Sequence, residues 1–486
     1  MATEGSQLKQ RTAKGLLWGG IGNGVFQMLN LVFGVFLARL LTPSDYGVIG
    51  ALTLFSTVAG MLSESGFILA IVNKREVTDR DLNSVFWFNV VMSVLMYVIL
   101  FSLSPLIARF YNMDEMVPLS RLLFLSFVFG GIAATPTAIL FRNLRVKQRT
   151  QATIIAVVIS GTIGVTCAYN GFGYWGIAIQ TVAYSSCTAA MVWMMCGWRP
   201  RMQFDWVSIK SMLPFSLKQL ATSVFTHLNN NFFAMLLARF YGMRPTGFYT
   251  QGNKWVTMGY STIVTTVNGV GQPVFRQAVD DHERLCRIFR KLLRFTVFIS
   301  FPAMSGLAIV APQLITIAIT DKWIDCVPVM QILCMWGAFM PVSTLYGNLF
   351  NAINRPSIYM WLTISLGLLQ LLCVVVSYRF GLNVMLAVYS SVNILWLLVW
   401  QYFAHRCIGL RLWDVLRDIA PYLLITSAVI AITQIATSGI ENDIMLFVAK
   451  ILIAASLYLL VMWRLDSVVL RETISFLCKK NIVNNE

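Results

Sequence analysis

Along nearly its whole length this chain alternates apolar runs of about 20 residues with short polar connectors. A helix rises about 1.5 Å per residue, so each run is long enough to cross the roughly 30 Å hydrocarbon core of a bilayer. The runs fall at 16–37, 47–72, 84–108, 117–140, 152–170, 175–197, 212–238, 247–275, 292–319, 327–352, 358–378, 383–403, 418–437 and 444–463. With 57% of residues hydrophobic and only 12% charged, no soluble fold could hide this much apolar surface. The expected class is therefore an all-α integral membrane protein of about 14 transmembrane helices.

The formal net charge of +16 would suggest nucleic acid in a soluble protein. Here the basic residues sit in connectors on alternate sides of the runs, 27 on the side of the N-terminus and 7 on the other. That asymmetry is the positive-inside pattern, and it predicts cytoplasmic termini and no nucleic-acid partner. The longest connector, 276–291, carries Asp280, Asp281, Glu283 and Arg284 among its bases, and is expected to form an amphipathic segment at the cytoplasmic membrane surface. The polar lead-in with Lys9, Arg11 and Lys14 precedes a long run without a small-residue cleavage site, which reads as a retained first helix. Nine cysteines lack CxxC spacing, so neither a disulfide framework nor a zinc site is expected.

An internal repeat carries more information than any single residue. Leu37-Ala38-Arg39 returns as Leu237-Ala238-Arg239, and Gly47 as Gly247, at a constant offset of 200. Val117-Pro118 returns as Val327-Pro328, and Ser104-Pro105 resembles Ala311-Pro312, in the same order. The implied organisation is an N-lobe over 1–200, a C-lobe over 201–410, and a C-terminal helix pair with a cytoplasmic tail over 411–486. Each lobe spans six helices, an even number, so the copies share one orientation. Parallel repeats of this kind place a substrate between the lobes.

Polar stripes within the apolar runs nominate the lining of such a cavity. The first run places Gly19, Asn23, Gln27, Asn30 and Gly34 on one helical face, suited either to close helix packing or to a cavity. The seventh holds Lys218, Gln219, Thr222, Thr226, His227, Asn229, Asn230 and Asn231. Its lysine either snorkels to the interface or faces the cavity, and His227 near the midplane either packs or contacts a proton or substrate. The eighth carries the most regular stripe: Thr250, Lys254, Thr257, Ser261, Thr265, Asn268 and Gln272. A lysine at the bilayer centre costs about 2.5–3.5 kcal/mol on insertion scales, so Lys254 requires water, an anionic ligand or an acidic partner. Glu64 in the second run is the candidate acidic partner, and an anionic headgroup is the alternative. No phosphate-binding loop, HExxH, DDxxD-like cluster or GxSxG is present, which argues against an enzyme and against transport driven by bound ATP. The expected energy source is a proton or sodium gradient, the membrane potential, or the substrate gradient, with no cofactor.

The run Lys14-Gly15-Leu16-Leu17-Trp18, followed by Leu37-Ala38-Arg39-Leu40-Leu41-Thr42-Pro43-Ser44-Asp45-Tyr46-Gly47, resembles the opening of the polysaccharide-transport branch of the multidrug/oligosaccharidyl-lipid/polysaccharide exporter superfamily, the Wzx-type flippases. The similarity continues in Ser65-Gly66-Phe67, Asn83-Ser84-Val85-Phe86-Trp87-Phe88-Asn89 and Asn351-Ala352-Ile353-Asn354-Arg355, over roughly the first 400 residues. The resemblance implies a V-shaped pair of bundles in a bacterial plasma (inner) membrane. It also implies transfer of an undecaprenyl-diphosphate-linked oligosaccharide from the cytoplasmic to the outer leaflet by alternating access. Membrane lipids, a polysaccharide polymerase and a chain-length regulator are the partners it suggests. Cationic cavity residues hold the diphosphate or acidic sugars in such proteins; Lys254, Lys218 and Lys14 suit that role here, with Asn23, Gln27, Asn30, His227, Asn230, Thr257 and Ser261 for the sugar. Two rivals stand beside this reading, a multidrug exporter of the same superfamily and a membrane polymerase or glycosyltransferase. The excess of lysines over intramembrane acids disfavours the first, and the lack of a large external loop disfavours the second.

Overall fold

A computed structural model describes residues 22–465 apart from Ser65 and Arg75; the side chains of a further set in the second, third and eighth helices, Glu64, Lys218 and Asn230 among them, also lie outside what it describes. Every regular element among the described residues is helical. In chain order these are α1 (Gly22–Leu40), α2 (Pro43–Glu64), α3 (Phe67–Asn73), α4 (Asp79–Tyr111), α5 (Met116–Arg142), α6 (Val146–Tyr169), α7 (Tyr174–Cys196) and α8 (Trp206–Tyr241). They continue with α9 (Met243–Arg276), α10 (His282–Ile319), α11 (Cys326–Ala352), α12 (Pro356–Ser377), α13 (Leu382–Ile408), α14 (Leu412–Ala436) and α15 (Asp443–Arg464). Apart from the seven-residue α3, these helices correspond one to one with the fourteen apolar runs. Twelve of the described helices are both long and apolar enough to cross a bilayer; α8 and α9 are long enough but too polar to qualify.

Two details depart from the sequence reading. The run 47–72 is not one helix: it breaks before Gly66, whose φ of 69° lies in the left-handed region that glycine enters without penalty. A methyl group there would sit 2.7 Å from the Ser216 carbonyl oxygen, so α8 approaches the break too closely for any side chain. The connector 276–291 is also shorter than expected, because α10 begins at His282. Asp281 caps it by accepting from the Arg284 N–H at 2.9 Å, which satisfies one of the free N–H groups of the first turn.

The chain forms two compact units, residues 1–247 and 248–486. In the first, α2, α4, α5, α7 and α8 meet around Val48, Leu52, Ile107, Tyr111, Phe124 and Ala238, while Phe67, Ile71, Val85, Ala138, Ile209 and Met212 form a second cluster. Helix α8 contributes its first turn to one cluster and its last to the other, and so runs the height of the unit. Helix α1 lies on α6, with Phe33 over Gly161 and Gly22 against Thr150. In the second unit, α10 is the central element and packs on α11, α13, α14 and α15.

Prolines inside helices reveal how the bundles are fastened. A proline lacks the N–H that would serve the carbonyl four residues earlier, and no water replaces it inside a bilayer. Neighbouring side chains fill the gap. Pro136 frees the Ile132 carbonyl, to which Trp193 of α7 donates through Nε1 at 3.1 Å. Pro302 frees Phe298, and Tyr458 of α15 donates its hydroxyl at 2.9 Å. Pro312 frees Ala308, which accepts from Gln331 Nε2 of α11 at 3.1 Å, and Pro105 frees Phe101, which accepts from Ser104 within α4 at 2.7 Å. The first three are interhelical ties that only those prolines make available.

The repeat pairs occupy equivalent places. Pro118 is the third residue of α5 and Pro328 the third of α11, while Pro105 and Pro312 both lie near the C-terminal ends of long helices.

Candidate functional site

The site begins with the stripe on α9. That helix buries Val256 and Val267 on one side. On the other, Thr250, Lys254, Thr257 and Ser261 are half-buried and Thr265, Asn268 and Gln272 are exposed, so accessibility increases along the stripe toward the C-terminal end. Two of its hydroxyls turn back on their own helix, Ser261 donating to the Met258 carbonyl at 3.3 Å and Thr265 to Ser261 at 2.8 Å. Thr257 Oγ1 lies 3.3 Å from the Tyr260 hydroxyl. Hydroxyls held in this way keep acceptor lone pairs for a ligand. Asn268 is tied by Asn348 Nδ2 of α11 at 3.1 Å.

Lys254 differs from every other intramembrane lysine whose side chain is described. Lys450 of α15 is buried, and its ammonium donates to the Gln313 Oε1 at 3.0 Å and to the Ile309 carbonyl at 3.1 Å, both on α10. It is thereby a fastening, which its position in the sequence does not reveal. Among the described residues Lys254 has no hydrogen-bond or ion-pair partner, leaving three donors on a half-buried cation. The acidic partner considered for it, Glu64, has a side chain outside the described residues.

In the first unit, Asn23 and Gln27 of α1 are exposed, and Asn30 is half-buried with its Nδ2 donating to the Phe26 carbonyl at 2.9 Å. His227 of α8 is half-buried, and its backbone carbonyl accepts from Asn231 Nδ2 at 3.0 Å. The side chains of Lys218 and Asn230, and all of Lys14, lie outside the described residues.

The sequence runs that carry the family resemblance have scaffolding roles. Asn83 accepts from the Arg201 N–H at 2.7 Å, Ser84 from the Asp205 N–H at 2.8 Å, and Trp87 Nε1 donates to the Arg201 carbonyl at 2.9 Å. Together they hold the connector that leads into α8. There Asp205 caps the helix by accepting from the Val207 N–H at 2.9 Å and the Ser208 hydroxyl at 3.0 Å. The Val207 N–H, followed by the Ser208 hydroxyl, holds the Asp205 carboxyl below the usual carboxylate range. In the opening run, Asp45 accepts from the Thr42 N–H at 2.8 Å, the Thr42 hydroxyl at 2.6 Å and the Tyr174 N–H at 3.0 Å. Asn354, with a φ of 58°, ends α11 in the left-handed conformation.

Residues 36–328 match the model of a family described as polysaccharide biosynthesis protein. The chain is 27% identical over 358 residues to the lipopolysaccharide biosynthesis protein WzxC of Escherichia coli (strain K12), covering 72% of each. It is 24% identical over 435 residues to the teichuronic acid biosynthesis protein TuaB of Bacillus subtilis (strain 168), covering 87% of this chain and 88% of that one. Among solved structures, the lipid II flippase MurJ in an inward closed conformation superposes with a TM-score of 0.76 at 15% identity, covering 94% of this chain and all of that one. An inward-facing multidrug resistance MATE family transporter of the MOP superfamily gives a TM-score of 0.65 at 16% identity, over 79% of this chain and 94% of that one. At these identities the structural likeness speaks to the fold, an all-α membrane bundle of the MOP type. With more than half of its length matched by the family model, the chain is a member of the polysaccharide biosynthesis protein family.

Proposed function

We propose that this protein is a flippase. It carries undecaprenyl-diphosphate-linked oligosaccharide repeat units from the cytoplasmic to the outer leaflet of a bacterial inner membrane, alternating between states open to either face. The observation that carries this reading is Lys254, a cation on the polar stripe of a membrane helix with no protein partner among the described residues. An unpaired ammonium at that depth is stable only beside water or an anion, and a diphosphate supplies the anion. Family membership, relatives that serve polysaccharide biosynthesis and the flippase fold support the same reading.

In this scheme Lys254 holds the diphosphate, assisted by Lys218 and Lys14. Asn23, Gln27, Asn30, His227, Asn230, Thr257 and Ser261 offer hydrogen bonds to sugar hydroxyls, and the polyprenyl tail stays in lipid. The chain transports rather than catalyses; a proton or sodium gradient or the membrane potential drives it, and both termini are cytoplasmic. A polymerase and a chain-length regulator consume the exported unit.

Lys254→Ala should abolish export while the protein remains in the membrane, and Lys254→Arg should retain part of it. Full export by Lys254→Ala would remove this role from Lys254. In a deletion strain, unpolymerised lipid-linked oligosaccharide should accumulate on the cytoplasmic leaflet; accumulation on the outer leaflet would assign the chain to polymerisation instead.

A further inference from the structure

Between the end of α7 at Cys196 and the start of α8 at Trp206 lie nine residues, the longest connector among the described residues. Their backbone is outside regular structure over 197–205. Amides without helical partners are not stable in hydrocarbon, where no water can serve them. The connector therefore stands at or beyond the edge of the lipid tails.

Its side chains have the opposite preference. Met202 is 89% exposed and Phe204 53%, and they run into Trp206 at 57% and Val207 at 74% in the first turn of α8. No other described connector exposes more than one large apolar side chain. The patch is also built and held. The Phe204 and Trp206 rings lie 6.2 Å apart, and Trp198 packs its ring 5.9 Å from that of Phe86 on α4. The Arg201 carbonyl accepts from Trp87 Nε1 at 2.9 Å and from the Gln203 N–H at 2.8 Å, while Asn83 and Ser84 take the Arg201 and Asp205 N–H groups. In the turn that follows, Ser208 and Ile209 are buried, which leaves Trp206 and Val207 on the outward face. One side of the segment is thus clamped to α4, and its apolar side chains are presented outward.

A single environment meets both demands. In the headgroup layer the amides stay hydrated while apolar side chains enter the upper acyl region, and aromatic residues concentrate there for that reason. Charge selects the kind of lipid. Arg199, Arg201 and Lys210 are exposed, and none of them forms an ion pair among the described residues. The one acid of the segment, Asp205, is occupied by the Val207 N–H and the Ser208 hydroxyl. A surface with three uncompensated cations around an apolar centre is complementary to acidic headgroups carried on acyl chains.

We infer that residues 197–210 form a docking surface for acidic phospholipids. Met202, Phe204, Trp206 and Val207 enter the edge of the bilayer, and Arg199, Arg201 and Lys210 bind the lipid phosphates. The leaflet is the one at the face where α7 ends, cytoplasmic in the topology proposed above. This segment takes the membrane-surface role that the sequence suggests for 276–291, whose charges lie largely on the capped start of α10. Through Asn83, Ser84 and Trp87 the docked connector sets the depth at which α4 and α8 begin. The inference is independent of what the protein transports.

The test uses the full-length chain with the photoreactive residue benzoylphenylalanine in place of Met202. Irradiation in native membranes should give phospholipid adducts, identified by mass. A protein adduct of discrete mass would assign the patch to a protein partner, and the lack of any adduct would place it in water; either result overturns the inference. In nanodiscs of phosphatidylcholine with phosphatidylglycerol, the acidic lipid should be enriched among adducts beyond its share. Arg199→Gln and Arg201→Gln should each lower that preference about fivefold, the effect of one surface cation. Arg417→Gln, an exposed arginine of the second unit, should leave it unchanged. An unaltered preference in the Arg199→Gln/Arg201→Gln double variant, or an equal loss with Arg417→Gln, would overturn the site. If the photoreactive chain does not fold, native mass spectrometry of the unmodified protein and of the double variant decides. The variant should retain fewer phosphatidylglycerol molecules, and equal retention would overturn the site. Export is not read in any of these measurements, so failure of the flippase reading leaves them intact.

Discussion

Replacing Tyr458 by Phe removes one oxygen atom and tests whether α15 is held to α10 by the carbonyl that Pro302 leaves free. Tyr458 is buried, and its hydroxyl donates to the Phe298 carbonyl at 2.9 Å while its ring packs at 5.7 Å from the Phe298 ring. Interhelical hydrogen bonds in membrane proteins average about 0.6 kcal/mol with a maximum near 1.7, because unpaired groups usually find other partners. Phe298 has no such alternative along its own helix, since Pro302 cannot donate, so the cost belongs near the top of that range, at about 1.5 kcal/mol. That corresponds to roughly a tenfold shift in the folding equilibrium. In a Pro302→Ala background the alanine N–H serves Phe298, and the same Tyr458→Phe change should cost less than about 0.5 kcal/mol. The expected coupling is therefore about 1 kcal/mol. Equilibrium unfolding in mixed micelles, followed by circular dichroism, would measure all four corners of the cycle. Equal costs in both backgrounds would show that Tyr458 does not act through the proline-freed carbonyl.

Two further perturbations probe other fastenings. Lys450→Met should destabilise the α10–α15 pair by about 1–2 kcal/mol because Gln313 Oε1 loses its donor, and adding Gln313→Leu should restore most of the loss in the same unfolding assay. Asp205 is held below the usual carboxylate range, so its capping contribution is complete above about pH 3.9 and is lost as pH falls through its folded-state value. Acid melts should accordingly show a drop in stability below about pH 3.9 that Asp205→Asn removes.

The membrane helices were legible because each needs a contiguous apolar run, and contiguity is what a sequence displays. The two misread segments show the limit. Hydropathy does not register the break at Gly66, since glycine interrupts a helix without interrupting an apolar run. The first turns of α10 carry charges that suit a connector, yet Asp281 caps them and Glu283 lies 3.6 Å from Arg287, one turn on. The α9 stripe was readable because its period is local. The roles of Lys450 and of Asn83, Ser84 and Trp87 were not: their partners lie more than 100 residues away, and only the fold brings them together. Lys450 and Lys254 look alike as intramembrane lysines. What singles out Lys254 is that it has no partner among the described residues, a property of space and not of sequence.

Helices α8 and α9 fail the apolar criterion that twelve others satisfy, although at 36 and 34 residues each is long enough to cross a bilayer. A polar helix in a membrane is stable only if its polar side chains avoid the lipid, and each charge facing hydrocarbon would cost kilocalories. Helix α9 meets this requirement by burying Val256 and Val267 while Lys254, Thr257 and Ser261 on another face are half-buried and Thr265, Asn268 and Gln272 are exposed. Packing alone does not call for such an arrangement: Lys450 shows that this protein neutralises a structural lysine with two acceptors when the purpose is to join helices. On the flippase reading, a stripe whose ammonium has no partner among the described residues is what a helix retains when its ligand arrives and leaves.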